Sequence, residues 1–203
     1  METDLCHTNL PFLKADCAEI FGAERGGRIF GKALEIYDGL VRGADLRGSA
    51  AIGRHMTEKL FPAMSYYKAL QAFGEADAIG LVRRETRKAA LLNKQKNEKF
   101  AGMPFVYALY RMGVKKYMAK HFPPEGWRIE WVRCDGREIH FDLHSCLYHE
   151  LCVRNGCPEL CAVYCENDDI SFSGLLPKIR FERSGTIGNG AMYCDFHFIK
   201  VKK

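Results

Sequence analysis

Between Asp16 and Val41 the apolar residues Ile20, Phe21, Ile29, Phe30, Ala33, Leu34, Ile36, Tyr37 and Leu40 recur at threes and fours. That is the spacing of one helical face. The pair Gly26-Gly27 predicts that this stretch divides into two helices. A second helical pattern runs from about Ser49 towards Phe73, where Pro62 predicts a break or kink and Gly74 a stop. Asp77 to Lys99 reads as a charged third helix. Pro104 to His121 reads as a fourth, with Pro104 in its first turn and Phe105, Leu109, Met112 and Tyr117 as its apolar face. Residues 1 to 14 are expected to be an irregular arm.

The period changes at Trp127. Trp127, Ile129 and Trp131 alternate with polar neighbours, which is the pattern of a half-buried strand. Asp135-Gly136 predicts a tight type I′ hairpin, because both residues tolerate positive φ. Ile139, Phe141 and Leu143 then alternate with Glu138, His140, Asp142 and His144 on the return strand. Two short helices follow, broken at Gly156 and restarted at Pro158. Lys178 to Arg183 and Met192 to Val201 complete the strands, joined by the Gly- and Ser-rich run Ser184 to Gly190. The sum is an α+β chain: N-terminal helices packed on an antiparallel sheet of about four strands, with a Cys-rich helical insertion between strands. A single domain is expected over 1–203, with a helical half (1–122) and a sheet plus Cys-rich region (123–203).

Composition narrows the class. With 47% hydrophobic and 27% charged residues the chain is globular, since disordered chains lack the apolar share. No apolar run approaches a membrane span, and the first residues lack the basic and apolar regions of a secretory signal. A cytoplasmic protein with reduced thiols is therefore expected, with no membrane contact. The net charge of +5 is mild, and the basic residues from Arg83 to Lys99 read as a solvated helix face. Nucleic-acid binding would want a denser stripe with stacking aromatics, so no nucleic acid is expected. Nothing marks a subunit interface, and an oligomer stays open.

Candidate chemistry concentrates in Cys146 to Asp169, which holds five of the nine cysteines, with a sixth returning at Cys194. Cys157, Cys161 and Cys165 are four apart and stack along one helical face, where free cysteine packs as a small apolar residue. No C-x2-C pair occurs, so zinc-ribbon and thioredoxin readings lack support. Cys165 and Asp168 place a thiol beside a carboxylate, or two ligands beside one metal, or leave the acids merely capping the next segment. Cys194 shares a strand face with Met192, Phe196 and Phe198, whereas Asp195 points to the other face with Tyr193 and His197. His140, Asp142 and His144, with His149 beyond, form either a metal-binding set or the wet face of a strand.

With these residues in view, the C-terminal half resembles the L-2-amino-thiazoline-4-carboxylic acid hydrolase family. The matching pieces are Cys146, Gly156-Cys157-Pro158-Glu159-Leu160, Cys165 with Asp168, Arg180-Phe181-Glu182-Arg183, Thr186, Gly190 and Cys194-Asp195-Phe196. The resemblance covers roughly residues 100 to 200. The resemblance implies a hydrolase that opens a C–N or C=N bond in a small cyclic amidine- or thiazoline-carboxylate-like substrate. It places Cys146, Cys165, Asp168 and Cys194 around the pocket and leaves Cys152, Cys157 and Cys161 as extras. Two routes fit. In one, Cys165 (or else Cys194) is the nucleophile, Asp168 or His149 moves protons, and Arg183 supplies a positive field or holds a substrate carboxylate. In the other, Cys146, Cys165, Asp168 and Cys194 hold a zinc ion that activates water. Cys146, Arg183, Asp195, Tyr148 and His144 are the expected substrate-binding side chains. The competing class is a non-enzymatic small-molecule- or metal-binding sensor similar to 4-vinyl reductase-like domains.

Overall fold

The structure, a computed structural model, describes residues 5–201. The chain folds into two compact units, residues 1–89 and 90–203. In the first, α1 (Leu13–Phe21) and α2 (Ala23–Arg42) are separated at Gly22, whose φ of 79° only glycine adopts at no steric cost. The break expected at Gly26-Gly27 is thus earlier in the chain. Gly26 has a different task. A Cβ there would collide with the Cys17 carbonyl and lie 2.8 Å from the Ala18 nitrogen, so glycine lets α2 cross directly on the α1 backbone.

The stretch around Pro62 is not broken but widened. α3 (Ala50–Arg54) runs through a π-helical turn (His55–Leu60) into α4 (Phe61–Ala72), and Pro62 falls in the first turn of α4. Proline lacks the N–H that would close the preceding turn, and a π turn is where a helix absorbs such a gap. The carbonyls left over are taken from outside: Asn9 N–H donates to Glu58 O at 2.8 Å, and Tyr37 hydroxyl to Thr57 O at 3.0 Å. The residue 5–12 arm is therefore tied down at Asn9. On α5 (Ala78–Ala101) the basic face is not wholly solvated, because Glu85 is 2% exposed and paired with Arg84 (3.0 Å) and Lys88 (2.5 Å).

The second unit carries the sheet. β1 (Ile129–Cys134), β2 (Glu138–Leu143), β3 (Ile179–Glu182) and β4 (Cys194–Lys200) form an antiparallel sheet in the order β1-β2-β4-β3. The hairpin forms where Asp135-Gly136 predicts it, but neither residue takes positive φ. The turn is held instead by the Asp135 carboxylate, which accepts from the N–H groups of Arg137 (2.7 Å) and Glu138 (3.1 Å). Alternation sends Ile139, Phe141, Leu143, Cys194, Phe196 and Phe198 inward. Phe141 stacks on Phe196 with ring centres 5.2 Å apart. The outer face carries His140 against His197 (ring centres 3.6 Å), Asp142 and Asp195.

Two helices cover the inner face. α6 (Val106–His121) sets Tyr110 on Phe198 at 5.1 Å, and its Tyr107 hydroxyl donates to Asp135 O at 2.9 Å. The face it buries is Val106, Tyr107, Val114 and Met118, while Phe105, Leu109, Met112 and Tyr117 are exposed. The sequence carries two apolar stripes on this helix, and the aromatic contact to β4 selects the other one. α7 (Leu147–Arg154) and α8 (Glu159–Ser173) carry the cysteines, with the turn between them made by Gly156 at φ 66°. α8 packs the half-buried Phe172 against Phe181 (4.8 Å) and against Phe198 (5.0 Å), and the fully buried Phe198 contributes about 1.5–3 kcal/mol.

Candidate active site

The nine cysteines are thiols, with no disulfide among them. Three sulfurs converge where α8 passes the head of α7. Cys161 (2% exposed) and Cys165 (half-buried) come from successive turns of α8. Cys146 comes from the extended residue that precedes α7. The Cys161 thiol hydrogen-bonds both of the others.

The loop from β3 to β4 lies over this cluster. Thr186 is 3% exposed, and its Oγ1 accepts from Asn189 N–H at 3.2 Å, closing the short 3-10 turn Ile187–Asn189. Gly188 sits directly on the sulfurs. A Cβ there would lie 3.0 Å from Cys165 Sγ, 3.1 Å from Cys161 Sγ and 3.2 Å from Ala162 N. Without a side chain, Gly188 lets its own N–H donate to the Cys165 sulfur, as the Thr186 hydroxyl also does. One residue earlier, Ile187 N–H donates to Cys194 Sγ at 3.1 Å.

Asp195 fixes the start of that loop. Its carboxylate accepts from Ser184 N–H (2.9 and 2.8 Å), the Ser184 hydroxyl (2.9 Å) and Gly185 N–H (3.0 Å). Burial alone would lift this carboxyl, but those donors together hold it below its ordinary range. Arg183 braces the other side. Its Nη2 donates to the Cys165 carbonyl and to Asp169 Oδ2 (2.8 Å), and its Nη1 lies 3.7 Å from Asp168 Oδ2. The guanidinium also stands over Phe181 and Phe196, at 5.6 and 5.7 Å from their ring centres.

These surroundings sort the thiols. Cys165 is brought down to about 6, by the Cys161 donor first, then, against burial, by the Thr186 hydroxyl, the Arg183 charge and Gly188 N–H. Cys146 is also lowered, by Cys161 first and, against burial, by the N–H groups of His149 and Tyr148 at the head of α7. Cys161, which supplies the proton to both, is driven far up. It has one S–H to give, so Cys146 and Cys165 share it and titrate as a unit. Burial pushes Cys194 up to about 12 despite its Ile187 donor. The surroundings thus favour the thiolate at Cys165 and disfavour it at Cys194.

Cys165 opens onto a cavity of about 440 Å³ whose wall includes Glu166, Asp169, Arg183, Thr186 and Asn189. Of the residues singled out from sequence, Cys165 and Arg183 line it. Asp168 sits behind Arg183, Cys146 and Cys194 lie in the sulfur layer, and Asp195 anchors the loop. Tyr148 packs edge-on against Tyr164 at 4.8 Å, and burial raises its hydroxyl. His149 lends its N–H to Cys146. His144 is drawn elsewhere, to Glu130 Oε2 at 2.9 Å and towards the Tyr193 ring at 5.6 Å. Among the described residues, no three His, Cys, Asp or Glu side chains are placed to hold a metal ion. Sequence reasoning missed Cys161 as the link between sulfurs, although its spacing from Cys165 was visible. Gly188 gave no signal within a loop already rich in glycine.

The model of the L-2-amino-thiazoline-4-carboxylic acid hydrolase family matches residues 53–198. The chain belongs to that family. The match runs from α3 to β4 and includes every residue of the sulfur cluster and its loop. It reaches further towards the N-terminus than the cysteine motifs, which point only to residues from about 100 onward. No match was found among curated proteins or among solved structures. Among the described residues of this family member, no helix is long and apolar enough to cross a membrane.

Proposed function

We propose that this member of the thiazoline-carboxylate hydrolase family opens a C–N or C=N bond in a small cyclic amidine- or thiazoline-carboxylate-like substrate, with Cys165 as nucleophile. The observation that carries the reading is the placement of Cys165. It is the cluster sulfur on the cavity wall, and it takes hydrogen bonds from Cys161, Thr186 and Gly188 beside the Arg183 charge. A thiolate so held is abundant at neutral pH and needs no separate base.

The thiolate adds to the C=N carbon of the ring, forming a C–S bond while the ring nitrogen takes up a proton. The ring C–N bond then breaks, leaving the opened chain joined to Cys165. Water adds to that carbon, the C–S bond to Cys165 breaks, and the thiolate returns. The sum is one water gained by the substrate. The wall carboxylates Glu166, Asp169 and Glu182 are the acids placed to pass these protons. Arg183 stabilises the thiolate and draws the substrate's carboxylate to the same wall. The cavity is of a size for a small ring and its substituents.

The test is to incubate the purified chain with a panel of cyclic amidines, thiazolines and lactams and follow their masses. One compound is expected to gain one water, with the gain lost in Cys165→Ser and kept after chelation. A panel left unchanged by folded, reduced protein overturns the reading.

A further inference from the structure

The sulfur cluster holds more thiols than one nucleophile needs, and their arrangement points to a second chemistry. Cys165 lies on an open cavity wall, with a hydroxyl (Thr186), an amide (Gly188) and a guanidinium (Arg183) around it. Such donors stabilise charge developing on an oxygen that leaves next to sulfur. Cys146 lies within the same cluster but on another element, bridged to Cys165 by Cys161.

We propose that Cys165 is a site of oxidation by small hydroperoxides, and that Cys146 resolves the oxidised sulfur into a Cys146–Cys165 disulfide. In the first step the Cys165 thiolate attacks the nearer peroxide oxygen. An S–O bond forms, the O–O bond breaks, and the departing oxygen takes a proton and leaves as water or an alcohol. In the second step the Cys146 sulfur attacks the sulfenic sulfur. An S–S bond forms, the S–O bond breaks, and the hydroxyl leaves as water with the proton of Cys146. The peroxide is reduced by two electrons and the two thiols are oxidised by two.

Helix geometry excludes the neighbouring thiol on α8 as the partner. Cys161 and Cys165 are four apart on α8, where Cβ atoms stand about 5–6 Å from each other. A disulfide wants Cβ atoms about 3.5–4.5 Å apart, so these two cannot join without breaking the helix. Cys146, in extended backbone ahead of α7, carries no such constraint. Cys152 and Cys157 contact each other but are fully buried, away from an oxidant in solvent. The disulfide would consume the proposed nucleophile, so oxidation silences the site reversibly. The oxidation itself does not depend on the hydrolase reading.

The experiment treats the reduced full-length chain with rising hydrogen peroxide, quenches it, and maps thiols by peptide mass spectrometry. The expected result is loss of two hydrogens in a Cys146–Cys165 linked peptide, formed before the exposed Cys6 is oxidised and reversed by dithiothreitol. In Cys146→Ser a dimedone adduct should accumulate on Cys165, while Cys161→Ser should still form the disulfide. Wild-type Cys165 going to sulfinic acid without a disulfide, linkage to another cysteine, or prior oxidation of Cys6 overturns the proposal. The wild-type map decides the matter even if a variant fails to fold. Because it reads thiols and not turnover, its failure is distinct from failure of the hydrolase reading.

Discussion

Gly188→Ala tests whether the β3–β4 loop makes Cys165 reactive. The added Cβ would lie 3.0 and 3.1 Å from two sulfurs and 3.2 Å from the Ala162 backbone nitrogen. Comfortable contacts are about 3.5–4.0 Å. The sulfurs can yield slightly, but the helix backbone cannot, so the turn must lift by a few tenths of an ångström or more. Overpacking of this kind costs about 1–3 kcal/mol, which lowers Tm by roughly 2–12 °C. The same lift pulls Gly188 N–H, and Thr186 beside it, away from Cys165. Losing one hydrogen bond to a charged sulfur is worth about 1.5–3 kcal/mol, or roughly 1–2 pH units. The assay is the rate of Cys165 alkylation by iodoacetamide against pH, read by peptide mass spectrometry. The wild-type midpoint is expected at about 6, and in Gly188→Ala at roughly 7–8. Gly136→Ala is the control, since a Cβ there meets nothing within 4 Å. An unchanged midpoint and Tm in Gly188→Ala would refute the argument.

Other perturbations separate the roles of neighbouring groups. Arg183→Met removes the charge beside Cys165 and is expected to raise its alkylation midpoint and cut kcat/KM by about 30–160-fold, from about 2–3 kcal/mol; an effect below threefold contradicts the role. Asp195→Asn sets an amide against three donors, and urea unfolding should show a loss of about 1–2 kcal/mol, discounted for partial exposure. Since the folded state holds this carboxyl below its ordinary range, its stabilisation is present above the unfolded pKa and fades as pH falls through the folded one. The Asn variant should therefore lose the least stability, relative to wild type, in strong acid. Gly26→Ala drives a Cβ into the α1 backbone and should cost about 3 kcal/mol by thermal unfolding, with Cys165 alkylation unchanged.

What the sequence made legible follows from how local each signal is. The hairpin, the two cysteine-bearing helices and the strand alternation around Phe141 and Phe196 are set by neighbours in the chain, and they stand where the pattern puts them. The hairpin turn shows the limit, because Asp135 closes it with its side chain and the same dipeptide serves another turn type. On α6 the pattern offered two apolar stripes, and only Phe198, some ninety residues away, decides which one packs. Gly26 looked like a helix breaker until the Cys17 carbonyl appeared beneath it. In the candidate site, motif and chemistry singled out Cys165 and Arg183, which stand together on the cavity wall. Cys161 was not singled out, because a cysteine at four-residue spacing reads as core until a third sulfur arrives from α7.

The account's central claim is that Cys165 carries the reaction as a covalent nucleophile. The direct measurement is rapid acid quench of the enzyme during turnover of whichever ring gains water, followed by peptide mass mapping. The account expects the opened substrate attached to the peptide containing Cys165, at a level that falls as substrate is exhausted, and no adduct or turnover in Cys165→Ala. Full turnover by Cys165→Ala, or an adduct on another cysteine, would contradict it.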